Sequence, residues 1–363
     1  MTVLTVPNDD KELWPTLGPQ VCDFIEAYLV FGPGDLRGLP AKLDDEKRAF
    51  LYRMYEVFPQ GHPQAGRRRF KRVGLSLAKG QAKTELAAWI AAAELHQDGP
   101  VRCVGWRNGA PLGGPVTDPY IPIVSYTEQQ SEELCYGTLL TVISEGPLSR
   151  DFDAGLTRIV RLRGDGRAVP LATAPNARDG ARTTFQVADE THWWTLPKLK
   201  QAHQTMMANL PKRLLADAWA LEVTTAPEPG AGSVAEDMME YARAVAAGRL
   251  KDSRLFYFHR EASDQHDLGT EAGARAAVME AAGGTVEWRD IEAIVELWRD
   301  PTTDRAYWER VWCNRLVKSA SRAFDAGQWA ALAKPDYIIP DGALVVLGFD
   351  GAMFHDSTGL VAT

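Results

Sequence analysis

Apolar residues along this chain keep switching between helical and strand periods, and each switch marks an element. Over 19–30 the apolar set Val21, Phe24, Ile25, Tyr28 and Leu29 has helical spacing, and Gly32-Pro33-Gly34-Asp35 closes that helix. A second helix starts near Asp44 and carries Phe50, Leu51, Met54 and Tyr55. Val73, Leu75 and Leu77 alternate as a strand, and a helix runs from Glu85 to about Glu94. Further strand-like runs cover 101–106, 122–126, 156–162, 170–174, 185–188, 220–225 and 255–259. Helical runs open at Thr127 and reach Val142, then recur at 198–207, 213–218 and 233–247. The Gly/Pro-rich stretch 107–119 reads as an inserted loop. From 262 to about 332 the pattern is helical and charged, and 333–342 reads as a linker. A buried strand over 343–350 ends in Asp350, and a return strand begins at 358. A hairpin that short cannot bury its own apolar faces, so a second domain is expected to begin near 343 and to be cut off. Strands alternating with helices predict an α/β fold with a mostly parallel sheet.

Composition narrows the class. The chain has 363 residues, more than one hydrophobic core usually serves, and is 45% hydrophobic and 24% charged. No apolar run is long enough to span a membrane, and the start, MTVLTVPNDDKELW, lacks the pattern of a secretory signal. Cys22, Cys103, Cys135 and Cys313 are scattered, which fits reduced thiols rather than a zinc site or a disulfide frame. The net charge of −8 argues against a protein that simply coats nucleic acid. The densest basic run, Arg67-Arg68-Arg69-Phe70-Lys71-Arg72, reads first as a solvated strand entry and second as a DNA contact.

Candidate chemistry begins in the stretch 71–90, KRVGLSLAKGQAKTELAAWI. A strand leads into the small-residue loop Ala78-Lys79-Gly80-Gln81-Ala82, then Lys83 and Thr84, then a helix. That is the plan of a phosphate-binding loop. Backbone N–H groups and the helix N-terminus face an anion, the lysine adds a full charge, and the hydroxyl can sit on Mg²⁺. The usual pattern wants glycine at positions 77 and 82, where this chain has Leu77 and Ala82. An ordinary strand-to-helix turn is the competing reading.

A second segment, Phe185-Gln186-Val187-Ala188-Asp189-Glu190-Thr191-His192, is a buried strand ending in two adjacent carboxylates. In a nucleotide hydrolase the first acid holds Mg²⁺ and the second polarises the attacking water. Ligands of open parallel sheets sit at the carboxyl ends of the strands, where this pair would lie. The alternative is an acid pair capping a helix. The strand over 220–225 ends in Thr224-Thr225, whose hydroxyls can sense a phosphate or can simply cap.

The ordered set resembles the large terminase subunit of tailed bacteriophages, the DNA-packaging motor, in its actinobacterial phage and prophage form. The carriers are the loop from Ala78 to Thr84, Asp189-Glu190 with His192, Thr224-Thr225, a helical lid, and Val345-Val346-Leu347-Gly348-Phe349-Asp350 with Asp356 beyond it. The resemblance implies a P-loop NTPase core of the additional-strand, RecA-like type over 1–254. A helical lid or linker over 255–335 follows, and a nuclease of ribonuclease-H type starts at 343–363. It implies ATP bound at Lys79, Gly80, Gln81, Ala82, Lys83 and Thr84. Thr84 and Asp189 hold Mg²⁺, Glu190 is the base, and Thr224 and Thr225 couple hydrolysis to DNA movement. Lys79 stands where many members carry an arginine, and a lysine lacks that residue's bidentate fork. An arginine acting in trans is expected just before the Asp-Glu strand, with Arg178 the first candidate and Arg182 the second. Asp350 matches the first nuclease acid. With the remaining acids beyond residue 363, this chain is expected not to cut DNA. The implied partners are double-stranded DNA, a homo-oligomeric ring (a pentamer on the portal), the small terminase subunit and the portal protein. The implied location is the host cytoplasm and transiently the procapsid portal, not the mature virion. Two other readings stay open: a helicase-like or other strand-translocating ATPase, and a nucleotide-regulated scaffold with a degenerate site.

Overall fold

The structure, a computed structural model, describes residues 1–8, 13–126, 134–171, 180–317, 340–344, 346–350 and 359–362. The chain divides into two units, Met1–Ser319 and Ala320–Thr363. In the first unit the strands are β1 (Thr2–Val6), β2 (Arg72–Ser76), β3 (Arg102–Arg107), β4 (Ala110–Gly114), β5 (Tyr120–Val124), β6 (Phe152–Ala154), β7 (Ile159–Arg161), β8 (Arg167–Leu171), β9 (Phe185–Asp189), β10 (Trp219–Thr224) and β11 (Leu255–Glu261). The helices are α1 (Gly18–Tyr28), α2 (Asp45–Met54), α3 (Lys83–Leu95), α4 (Cys135–Glu145), α5 (Pro197–Asn209), α6 (Val234–Ala246), α7 (Glu271–Ala282), α8 (Ile291–Arg299) and α9 (Arg305–Cys313). In the second unit β12 (Leu347–Asp350) and β13 (Gly359–Ala362) pair antiparallel.

Among the described residues nine strands form one sheet in the order β1-β11-β2-β10-β9-β5-β8-β7-β6. The six strands from β11 to β8 run parallel, and antiparallel strands close both edges. This is the expected α/β class. β10 inserts between β2 and β9, with Leu221 paired to Val73 on one side and to Val187 on the other. β11 pairs with β2 inside this sheet, so the helical segment that follows begins after it, at α7.

Helix α3 explains its own placement. It is apolar almost all round, and its residues from Leu86 to Leu95 are buried, as a helix with no polar face must be. The small side chains of Ala87, Ala88, Ala91, Ala92 and Ala93 let it lie close to the sheet, with α1 and α4 packed against it. Its first turn is thereby held at the carboxyl end of β2.

Four local expectations change. The strand expected to be buried over 343–350 covers Leu347–Asp350, and Leu344, Val346 and Leu347 are exposed. Residues 107–119 hold a strand, because Asn108 and Gly109, both at positive φ, form the tight turn of the β3–β4 hairpin. Residues 213–218 turn rather than coil, and Asp217 at φ 53° breaks any helix there. The basic run is not solvated at its centre. The Arg68 guanidinium carbon sits 3.9 Å from the ring centre of Trp219, and Arg69 bonds Glu56 at 2.6 Å while stacking on Trp14. The opening residues, which carry no clear pattern, form β1 against β11.

Candidate active site

β2 ends at Ser76, and buried Leu77 and Ala78 carry the chain into the loop. Gly80 turns it at φ +78°. Ala82 adopts φ 54°, ψ 35°, the left-handed conformation a glycine would take without cost. The departure from the usual pattern therefore changes the side chain and keeps the backbone, at about 1–2 kcal/mol of strain. Six described non-glycine residues have positive φ. Asn108, Asp118, Asp217 and Asn314 are of the types that tolerate it, and the other two are Ala82 and Glu190. Strained residues of intolerant type gather where surrounding structure forces a functional geometry.

No side chain caps α3, so its first turn presents donor groups to an anion. Lys83 lies beneath the loop, buried, with Nζ donating to Leu77 O at 2.9 Å and to Ala78 O at 3.1 Å. Burial lowers its pKa, while the charges of Glu190 and Asp189 work the other way. Lys79 is exposed, its Nζ 5.9 Å from the ring centre of Trp312. Gln81 is buried and its Nε2 donates to Ala281 O.

β9 delivers Asp189, fully buried, to the same place, where Thr84 Oγ1 lies 3.3 and 3.4 Å from its two carboxylate oxygens. Those are long contacts for a hydroxyl donor. Burial, then the charge of Glu190, raises the Asp189 carboxyl to about 8. A carboxylate so placed is short of positive charge. Glu190 turns out of the strand at φ 53°, ψ 48°, and its N–H donates to Val223 O at 2.8 Å. Burial opposes its charge, yet His192 and Lys83 outweigh that and leave its pKa lowered.

His192 joins the ends of β9 and β10. Its backbone N–H donates to Thr224 Oγ1 at 3.1 Å, and its Nδ1 lies 3.2 Å from that oxygen and 3.0 Å from Glu190 Oε2. Thr224 Oγ1 donates its own proton to Thr225 O at 2.9 Å, so it can only accept from the ring, which fixes the Nδ1–H tautomer. Both threonines are buried. A role for His192 was not legible beyond its place in the ordered motifs. The signal is a histidine two residues after the acid pair, facing a strand that ends in threonine.

The helical segment closes over the loop. Lys79 N–H donates to Val311 O at 2.8 Å, and Arg289 Nη2 donates to Lys79 O. Asn314 donates to Ser76 O at 3.1 Å and Arg260 O at 2.8 Å, and accepts from Ala226 N–H at 2.7 Å. No spacing in the sequence points to Arg289.

The donors fit a magnesium nucleotide. Among the described residues no three metal-binding side chains cluster. Mg²⁺ held with a nucleotide needs only one or two protein oxygens, because phosphates and waters fill the rest. Asp189 and Thr84 supply that number, and the underpaired Asp189 carboxyl suits a cation.

Other candidates lie elsewhere. Arg182 is exposed just before β9, seven residues from Asp189, so about 20 Å away along the strand at its usual rise. It cannot serve the site of its own chain. Arg178 and Asp356 lie outside the described residues. Asp350 is the last residue of β12 in the second unit. A cleft of about 600 Å³ at the amino ends of β2 and β10 is lined by Arg67, Lys71, Arg213 and Arg254 around Asp217. Its charges are engaged in place, since Lys71 pairs with Asp217 and Arg213 Nη1 bonds Asp118 O at 2.6 Å. No helix among the described residues is long and apolar enough to cross a membrane.

No family model matches the chain. It is 25% identical over 321 residues to the gene 13 protein of Mycobacterium phage L5 and 23% identical over 315 residues to that of Mycobacterium phage D29. Each match takes in 78% of this chain and 52% of the phage protein, so the chain spans about half the length of the relatives it matches. Among solved structures, the large terminase of bacteriophage HK97 superposes with a TM-score of 0.61 at 18% identity, over 96% of this chain and 64% of that one. The chain therefore shares the fold of the HK97 large terminase.

Proposed function

We propose that this chain is the ATP-hydrolysing motor subunit of a phage terminase, moving double-stranded DNA into a procapsid. One arrangement carries the reading. β10 lies between β2 and β9, so Thr224-Thr225 follow the strand between the one that leads to the Lys83-Thr84 loop and the one that ends in Asp189-Glu190. In this reading Gly80, Gln81, Ala82 and Lys79 wrap the phosphates by backbone and charge, and Lys83 neutralises the β and γ oxygens. Thr84 and Asp189 would hold Mg²⁺, which when bound would supply positive charge against the phosphate oxygens. Glu190, kept ionised by His192 and Lys83, accepts the proton of the attacking water as the γ-phosphate leaves ADP. His192 ties that base to Thr224, so a shift of the base reaches β10 directly. The resemblance assigns DNA coupling to Thr224 and Thr225, and that tie supports the assignment.

The rest of the machine comes from the resemblance. A homo-oligomeric ring, five-membered on the portal, would let Arg178 or else Arg182 reach the neighbouring subunit's nucleotide. The small terminase subunit and the portal protein are the expected partners, in the host cytoplasm and at the procapsid rather than in the virion. Asp350 would be one carboxylate of a nuclease site. The test is phosphate release from ATP by the parent, Glu190→Gln and Lys83→Ala. Both variants should lose about a hundredfold or more, with Glu190→Gln still binding nucleotide. Equal turnover in all three chains would sink the motor reading.

A further inference from the structure

The segment after β11 brings a guanidinium to the phosphate loop from 210 residues downstream. Arg289 sits between the short turn Gly283–Trp288 and α8, and its Nη2 donates to the carbonyl of Lys79. It lies close against Gly80: a Cβ built there would stand 3.3 Å from Nε, 3.5 Å from Nη2 and 3.6 Å from Cζ. Its Nε and Nη1 are buried and have no partner. Burial, with Arg260 nearby, pushes its pKa down to about 10.

An unmatched charged donor away from water is costly, and Arg289 is the described arginine that leaves two buried nitrogens unmatched where Arg68 and others leave one. Here the carbonyl takes one nitrogen and leaves two. Burial lowers the Lys83 pKa first, Glu190 and Asp189 oppose it from the β9 side, and Arg289 and Lys79 add to the lowering from the loop side. Three cations and an uncapped helix start converge on one loop. That is an environment for a polyanion, and the planar fork of arginine matches phosphate oxygens bidentately.

We infer that Arg289 is a nucleotide-binding residue whose unpartnered N–H groups take oxygens of the phosphate chain, supplied in cis by the helical segment. The inference rests on the ATP-site reading above and adds a contact from outside the loop and strand motifs.

Titrations of fluorescent ATP and ADP analogues with Mg²⁺ onto the parent, Arg289→Ala, Arg289→Gln and Arg289→Lys test it. Arg289→Gln keeps a donor for the Lys79 carbonyl and removes the charge, so it reads the same contact if the alanine variant folds poorly. Both neutral variants should bind the ATP analogue about ten- to a hundredfold more weakly, as for loss of a charge-assisted bond. Arg289→Lys should recover part of the loss. A loss on ATP alone assigns Arg289 to the terminal phosphate, and a loss on both nucleotides assigns it to a shared one. Either supports the inference. Unchanged or tighter nucleotide affinity in the neutral variants overturns it, as does a lowered melting temperature of the nucleotide-free chain with affinity intact. A parent chain that binds neither analogue overturns the ATP-site reading itself, and this inference with it.

Discussion

At the amino end of β10, Tyr55 Oη, Arg102 Nη1 and Trp219 Nε1 all donate to Glu94 Oε1, at 3.0, 2.9 and 3.0 Å. At its carboxyl end Asp189 is equally buried, yet its side chain meets a distant hydroxyl from Thr84, the backbone N–H of Glu190 and the field of Lys83, with no cation bonded to it directly among the described residues. Both ends bury a carboxylate beside a cation, and the pairing differs. Around Glu94 short donors converge and an arginine bonds directly. Around Asp189 the lysine bonds backbone carbonyls instead, and a second acid adjoins. Burial of charge alone does not mark a functional group. Burial with the partners turned elsewhere does, because that arrangement costs stability unless something else supplies the missing charge.

Removing a partner tests the contrast most severely at the amino end. Glu94→Ala should destabilise the chain by about 3–5 kcal/mol in chemical denaturation, by leaving Arg102 buried and unpaired. ATP turnover per folded molecule should be unchanged. A stable Glu94→Ala chain would erase the distinction. At the carboxyl end the sign reverses. The Asp189 carboxyl is raised to about 8 when folded, against about 3.9 unfolded, so the folded chain holds the proton more tightly. Its stability is fully present below about 4, falls as pH rises and is lost by about 8. Asp189→Asn escapes that loss. Without nucleotide, the variant should gain on the parent across that window and lead by roughly 1–3 kcal/mol at pH 8–9. Melting curves at pH 4, 6 and 8.5 measure the gap, and a gap that does not widen with pH counts against the underpaired carboxylate. The smallest effect belongs to the loop. Ala82→Gly should relieve the left-handed alanine and raise stability by up to about 1 kcal/mol, and a loss there would mean that the alanine methyl packs usefully.

Legibility followed distance along the chain. Asp189-Glu190 and the Lys83-Thr84 pair, which the structure brings together, stood out because each lies within one strand end or loop, where local pattern and candidate chemistry coincide. The sheet class followed from the alternation of short apolar runs with helical ones. β1 escaped notice because Thr2 and Thr5 break up its apolar residues and it pairs only at the sheet edge, where Thr2 and Val3 stay exposed. β4 escaped because glycine and proline suggested a loop, although Asn108-Gly109 was a hairpin signal in plain view. Arg68 and Arg69 read as surface charge because nothing local announces Tyr55, Trp219 and Trp14 as their stacking partners. Arg289 meets its loop only through the fold.

The pairing of β1 with β11 sets a clock on synthesis. Thr2 pairs with Glu261 and Val6 with Tyr257, so the first strand leaves the ribosome some 250 residues before its partner exists. At ordinary elongation rates of about 5–20 residues per second, that wait is roughly 10–50 s. β2 waits a shorter time, since its first neighbour to be made, β10, pairs Ala220 with Arg72. During that interval β2 is an apolar strand without a neighbour, although β5, β8 and β9, on which α3 packs, are made before β10. The order in which the strands emerge, rather than their final stability, then decides how exposed this chain is to aggregation while it is being made.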